Sequence, residues 1–425
     1  MSVSKKVLIL SYYWPPSGGS GVQRWMYFAK YLKQLGWEPI IITVDEKHAA
    51  YPQLDQSLLK EVEGIRVIKT ATREPLRLYS RLISGKAAKG IPQGEVNTKS
   101  FFGNLAAYIR GNYFIPDARK GWVPFAVEAA QKILKQENIE HLITTGPPHS
   151  THIAGLRLID LFQLNWWVDF RDPWTDVFYN KQMRQSKRSQ AKDAQLEMAV
   201  LKKASGVITT IGGELHQSLK AKVPHQKFVT LANGFDEELM NNIVSLPPKD
   251  VFHVVYTGLL TQQQAYFSIL KALLQLKGDR PIRFSLAGNI SDSILKEIRS
   301  ALPHVEVIYH GYLDHSAAIA LMKSGHLLLN FIFAGATRQM ISGKLLEYFA
   351  TQIPVLSIGY PLSDAGEFIA QGSCAKMIES EDQVAINEFI QALFEGNKAQ
   401  KNMIENIDQW SRKAITQRLI KTVLS

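Results

Sequence analysis

The chain has 425 residues, 46% of them hydrophobic and 10% aromatic, and a net charge of +11. That length exceeds one ordinary core and predicts two domains, and the composition excludes a disordered chain. The single cysteine, Cys374, excludes an internal disulfide and a cysteine cage for zinc, and fits a reducing compartment.

The basic excess raises the question of a partner. No zinc finger, RNP aromatic motif or arginine-rich tract is present, so nucleic acid is not expected. An anionic membrane surface, where each nearby Lys or Arg gains about 1 kcal/mol, fits better. A diffuse, solvated excess fits as well. Apolar runs such as Leu327 to Ala336 stop well short of the roughly 20 residues of a membrane span. The opening MSVSKKVLILSYYWPP has a strand-length apolar run and no small-residue cleavage site, unlike a signal peptide. A soluble, cytoplasmic protein is expected, with a peripheral position at the inner face of the cell membrane as the alternative.

Lys6 to Ser11 predicts a buried strand. Pro15 and Pro16 end it, and Gly18, Gly19 and Gly21 open a loop before a helix with Val22, Trp25, Met26, Ala29 and Leu32 on one face. Gly36 closes that helix, and Pro39 to Val44 predicts the second strand. Glycines at such a turn let backbone N–H groups approach a ligand closely. A dinucleotide fingerprint competes for the same stretch, but GGSG lacks its G-x-G-x-x-G spacing. From Thr70 to Lys120 the alternation breaks. Arg73, Arg77, Arg81, Lys86, Lys89, Lys99, Arg110, Arg119 and Lys120 are interleaved there with large apolar residues. This suits an interfacial membrane segment or a solvated insertion over a sheet edge.

Alternation resumes with a helix from Val123 to Lys135 and a strand from His141 to Thr145. A further helix follows, capped by Ser150 or His149, with His152 one turn in. The strand Trp166 to Phe170 then runs into Arg171, Asp172, Pro173 and Trp174. Open α/β sheets bind ligands at the carboxyl ends of their strands, which singles out His149, His152, Asp169, Arg171 and Asp172. The spacing of Asp169 and Asp172 admits a divalent metal, whereas Arg171 between them favours an ion pair, so no metal is expected. A structural clamp with arginine is expected for Asp169. His149 and Asp172 are the candidate catalytic residues.

Helix Gln190 to Lys203, strand Val207 to Thr210, helix Gly213 to Lys220 and strand Phe228 to Ala232 lead to Asn233-Gly234-Phe235-Asp236. Glu237 to Asp250, with Pro247 and Pro248, reads as a linker. Strands at His253–Thr257, Arg283–Ala287, Val305–Tyr309 and Leu327–Ile332 repeat the pattern, the first three turning out through Gly258, Gly288-Asn289 and Gly311-Tyr312. In Gln339 to Ser357, Ser342 is a plausible cap, Gly343 and Lys344 fill the first helical turn, and Glu347 follows. Gln352-Ile353-Pro354 ends that helix before the strand Val355 to Ile358. A helix N-terminus suits a phosphate, and Glu347 lies far enough along to meet a ribose diol. An amphipathic helix packed on a sheet through Leu345, Leu346 and Phe349 fits equally. Gln409 to Leu424 predicts an amphipathic C-terminal helix.

Gln339 to Glu347 resembles the E-x7-E segment of family 4 retaining glycosyltransferases, with Glu347 in the place of the second Glu and Gln339 in that of the first. The GGSG loop, the NGFD segment and the strand–helix series are similar to that family in order and spacing, over nearly the whole chain. The resemblance implies an α/β protein of GT-B fold, two Rossmann-like parallel-sheet domains facing across a cleft. Residues 1–236 would form the acceptor domain, with the basic insertion at about 70–120. Residues 251–408 would form the nucleotide-sugar donor domain, and 409–425 a helix crossing back.

The resemblance further implies a metal-independent hexosyl transfer from a UDP- or GDP-linked sugar, with no other cofactor. The acceptor would be a lipid-linked or saccharide hydroxyl, in surface polysaccharide or glycolipid assembly. The substrate-binding candidates are Gly18, Gly19, Gly21, Arg171, Gly258, Arg338, Gln339, Ser342, Gly343, Lys344 and Glu347. One departure stands out. The family carries basic residues after the turn matching Tyr256-Thr257-Gly258, whereas Leu259 to Gln264 holds none. Arg338 and Lys344 are the cations left to face a diphosphate. A weakened nucleotide-sugar-binding scaffold, or an epimerase or phosphorylase of the same fold, are the alternatives.

Overall fold

The computed structural model describes residues 5–49, 51, 54–73, 108–109, 111–176, 185–210, 213–333, 343–396 and 401–425. The chain divides into two compact units, Met1–Ala232 with Ile415–Ser425, and Asn233–Ala414.

The first unit is built on a parallel sheet. Its strands are β1 (Lys6–Leu10), β2 (Glu38–Val44), β3 (Arg66–Thr70), β4 (His141–Gly146), β5 (Asn165–Phe170), β6 (Gly206–Thr209) and β7 (Phe228–Thr230). They lie in the order β3-β2-β1-β4-β5-β6-β7. Sequences such as KVLIL and EPIIITV suit strands covered on both faces, because after the first residue of each every position is buried. Leu8, Leu10, Ile40, Ile42, Leu142, Trp166 and Val168 pack into one core with Trp122, Ala126 and Leu158 from the covering segments. Helices α1 (Ser20–Gln34), α2 (Val123–Gln136), α3 (Ser150–Ile159), α4 (Lys187–Lys203) and α5 (Glu214–Lys222) accompany the sheet. Strand β3 was not legible beforehand, because RVIKT mixes exposed and half-buried positions at the sheet edge.

The second unit repeats the topology with β8 (Phe252–Thr257), β9 (Ile282–Ala287), β10 (Glu306–Tyr309), β11 (Leu327–Phe331), β12 (Val355–Ile358) and β13 (Ala375–Ile378). Their order is β10-β9-β8-β11-β12-β13, and the pairs are parallel. Its helices are α6 (Glu237–Asn242), α7 (Phe267–Gln275), α8 (Asp292–Ala301), α9 (His315–Lys323), α10 (Lys344–Ala350), α11 (Asp364–Ile369) and α12 (Gln383–Glu395). The last described helix, α13 (Arg412–Val423), starts in this unit, and its residues from Ile415 belong to the first.

The stretch read as a linker, 237–250, opens with α6 instead. The Asp236 carboxylate accepts from the Leu239 N–H at 2.9 Å, and Glu237 and Glu238 fill the first turn, where negative charge is favoured. Lys323 donates to the Met240 and Ile243 carbonyls, which satisfies that helix's last turn. Asn233 to Asp236 therefore fall in the second unit.

In each sheet the strand order reverses once, between β1 and β4 and between β8 and β11. Crevices at such points, outside the carboxyl ends of the strands, are where these sheets hold ligands. Most of the basic insertion, residues 74–107 and Arg110, lies outside the described residues. Arg73 stacks on Phe125 and Arg119 on Tyr12. Among the described residues no helix is long and apolar enough to cross a membrane.

Candidate functional site

In the first unit, the first turn of α1 and the end of β4 are tied together by one arginine. Arg171, just beyond β5, donates from Nη1 to the Gly21 carbonyl at 2.6 Å and from Nε to the Gly146 carbonyl at 3.3 Å. Its Nη2 donates to the Pro147 carbonyl. This substrate-binding candidate spends its donors on backbone and joins the start of α1 to the end of β4. Gly21 has no room for a side chain, since a Cβ there would stand 2.9 Å from Arg171 Nη1. Gly19 flanks the start of α1, and Gly18 precedes it in the loop.

Asp169 is a structural clamp, as its burial in a parallel strand suggests, but its partner is Arg24 rather than Arg171. Arg24 Nη2 reaches Asp169 Oδ1 at 2.7 Å, with both side chains sealed from water. Trp25 Nε1 and the Thr145 hydroxyl donate to Oδ2 at 2.6 and 2.8 Å. Both carboxylate oxygens are thus taken up by donors from Arg24, Trp25 and Thr145. Asp172, three residues on, is exposed.

His149 lies at the start of α3, yet its side chain makes no capping bond. Asp117 takes that role, accepting from the Ser150 N–H at 2.8 Å and the Ser150 hydroxyl at 2.9 Å. The His149 ring stacks on Trp174, 5.0 Å between centroids and 5° between planes. Burial holds its pKa well below the usual histidine value, with His152 and Arg171 adding to the effect and a bond to the Pro173 carbonyl opposing it. Among the described residues Nδ1 has no hydrogen-bond partner. His152 bonds the Thr144 hydroxyl through Nδ1 at 2.9 Å, and burial lowers its pKa to about 3. The free Nδ1 of His149 and Nε2 of His152 would stand 2.7 and 2.6 Å from a Cβ at Gly146, so only glycine fits there.

In the second unit, α10 stands at the sheet's reversal point. It begins at Lys344 with Gly343 flanking it, and it is only seven residues long, which leaves little macrodipole for a phosphate. Arg338, Gln339 and Ser342 lie outside the described residues. Lys344 reaches back to the end of β8. Its ammonium donates to the Thr257 carbonyl at 2.7 Å and sits 3.9 Å from the centre of the Tyr256 ring. Burial brings its pKa down to about 7. Gly258 turns the chain out of β8 at φ +126°, a conformation side chains disfavour, and a Cβ there would come within 3.3 Å of the ammonium. A cation therefore stands at the turn after β8, supplied from α10 rather than from residues 259–264. The Tyr348 hydroxyl braces the same turn, accepting from the Thr257 N–H at 3.1 Å.

Glu347, on the next residues of α10, is buried, and its Oε1 accepts from His315 Nε2 at 2.8 Å and Arg412 Nη2 at 3.2 Å. Burial pushes its carboxyl up, but His315 and Arg412 outweigh this, so the pKa lies below the usual glutamate value. His315, Arg412 and Arg24 carried no sequence signal beyond their charge: each matters through a partner far along the chain. Leu345, Leu346 and Phe349 are buried, so α10 is also the amphipathic helix the pattern allowed.

No protein-family model matches the chain, and no curated protein does. Solved structures do match over their full length. Sucrose-phosphate synthase from Thermosynechococcus elongatus superposes with a TM-score of 0.64 at 13% identity, covering 98% of this chain and 97% of that one. HepE from Anabaena, in complex with UDP and glucose, gives 0.61 at 12% identity and 99% coverage of both. A glycosyltransferase from Rickettsia africae gives 0.56 at 16%, covering 98% of this chain and 94% of that one. The chain has the GT-B fold. That is the architecture the resemblance implied, reached here through two parallel sheets with the same strand order.

Proposed function

We propose that this GT-B protein is a retaining glycosyltransferase. It moves a hexosyl group from a UDP- or GDP-linked sugar to a hydroxyl of a lipid-linked or saccharide acceptor, in surface polysaccharide or glycolipid assembly. The observation that carries this reading is the pairing on α10 of an ammonium and a carboxylate with different tasks. Lys344 stands at the turn after β8, where a diphosphate would lie, and Glu347 offers an ionised acceptor to a ribose diol. That HepE is solved with UDP and glucose supports a nucleotide sugar as the ligand class.

In the reaction, the bond between the anomeric carbon and the β-phosphate oxygen breaks, and that oxygen leaves with the bonding pair. The acceptor hydroxyl oxygen bonds the anomeric carbon on the same face, and its proton passes to the departing phosphate oxygen. Lys344 stabilises the charge growing on the diphosphate without a metal ion. His149, held neutral, and Asp172 are the contacts proposed on the first unit to the transferred sugar or the acceptor. A peripheral position at the inner membrane face belongs to the same proposal, supported by the basic excess.

Calorimetry with UDP and GDP tests the reading, followed by sugar-nucleotide hydrolysis with and without a lipid-linked acceptor. One nucleotide should bind, and Glu347→Gln should weaken it by roughly 10–100-fold, the worth of an ionised hydrogen-bond acceptor. Binding of neither nucleotide removes the function. The absence of any cation from Leu259 to Gln264 favours one second reading, a nucleotide-sugar-binding scaffold. Tight nucleotide binding without turnover on any acceptor would select it.

A further inference from the structure

We infer that Arg412 and His315 are positioning residues that clamp one oxygen of Glu347 so that the other faces a nucleotide ribose. This rests on the reading of Glu347 as the ribose acceptor. Both contacts fall on Oε1, and Oε2 has no partner among the described residues. The three side chains are largely shut off from water, with exposures of 10% for Glu347, 14% for His315 and 6% for Arg412.

The clamp is assembled from three distant segments. His315 is the first residue of α9, held by Asp314, whose carboxylate accepts from the Ala317 N–H at 2.8 Å. Arg412 opens α13, and its backbone N–H donates to the Phe235 carbonyl at 2.9 Å. Phe235 is bridged in turn to Ser411, so the NGFD segment and the start of the C-terminal helix arrive together beside α10. The NGFD segment thus anchors the start of the helix that carries Arg412.

The chemistry requires such a clamp. A buried carboxylate with no partner takes up a proton, and a neutral acid offers one donor where the ribose needs acceptors. Two donors on Oε1 keep the group ionised and stop its rotation, and they leave both lone pairs of Oε2 for the 2′- and 3′-hydroxyls. The negative charge of Asp236 pushes the other way, so the balance depends on Arg412 and His315.

The test uses the full chain and calorimetry with UDP or GDP, whichever binds, against its 2′,3′-dideoxy analogue. The wild type should prefer the natural nucleotide by about tenfold or more. Arg412→Ala should bring the two ligands to within about twofold, and Arg412→Lys should restore much of the preference, since an ammonium still neutralises Oε1. In Arg412→Ala the remaining preference should also fade at a higher pH than in the wild type, as the carboxyl protonates more readily. If Arg412→Ala does not fold, His315→Ala carries the same comparison. A wild type that does not distinguish the ligands removes the ribose reading and this inference with it. A wild type that distinguishes them, beside a folded Arg412→Ala or His315→Ala that distinguishes them equally, overturns the inference alone.

Discussion

Arg24 Nη2 lies 2.7 Å from Asp169 Oδ1 in the interior of the first unit, joining the helix after the glycine loop to the middle of the sheet. Arg24 also donates from Nη1 to the Leu231 carbonyl at 2.8 Å, so one guanidinium spans α1, β5 and the segment after β7. The start of α1, just after the glycine loop, is therefore held by two contacts, the buried Arg24–Asp169 pair and the Arg171 bond to the Gly21 carbonyl. Removing the carboxylate leaves the Arg24 guanidinium in the interior without its counter-charge. Asp169→Ala should cost about 3–5 kcal/mol in chemical denaturation, far more than a surface carboxylate. A midpoint shift like that of a surface substitution would show that the pair does not anchor the helix.

Lys344 provides the pH dependence. Its pKa of about 7 places the ammonium in equilibrium with the amine near neutrality. The charged form prevails below that pH, and it is the form a diphosphate selects. Affinity for UDP or GDP should therefore fall as the pH rises from about 7, by up to roughly tenfold per unit, until the pKa of the bound state is passed. The corresponding nucleoside should show no such slope. Lys344→Ala should weaken the diphosphate much more than the nucleoside, and Lys344→Arg should flatten the pH profile. Equal losses for both ligands would remove Lys344 from the phosphate site.

His149 and Asp172 are expected to act in turnover. Alanine at either should lower kcat more than it lowers nucleotide affinity, the mark of contacts made chiefly in the transition state. For His149 the loss of stacking on Trp174 should also lower the melting temperature, which Asp172→Ala should leave nearly unchanged. Full turnover in both variants would place the chemistry on other residues.

Asp193 gives a separate stability test. Burial raises its carboxyl to about 6, although Trp174 Nε1 donates to it at 2.8 Å. The folded pKa lies above the unfolded value, so the fold disfavours the ionised form. Stability from this group is present at low pH and is lost as the pH rises from about 4 to about 6. Asp193→Asn keeps an acceptor for Trp174 without the charge. It should raise stability at pH 7.5 by up to about 3 kcal/mol and leave it unchanged near pH 4. An equal shift at both values would assign the effect to packing.

The sequence by itself determined the two-sheet architecture and most of its strands. Apolar runs such as Val7 to Leu10 and Val254 to Tyr256 can only be covered on both faces, and glycines such as Gly258 mark where the chain must turn. It also placed Lys344 and Glu347 one helical turn apart, since 3.6-residue periodicity needs no tertiary information. The tertiary structure decided who meets whom. Asp169 is two residues from Arg171 in sequence, yet it pairs with Arg24, because Arg171 turns to the carbonyls above the strand end while α1 lays Arg24 across the carboxylate. Asp117, rather than a local side chain, caps the helix at Ser150, because the loop holding it packs over that end. His315 and Arg412 converge on Glu347 from positions 32 and 65 residues away. Contacts of that kind depend on chain segments returning to one place, and no local pattern records where a chain returns.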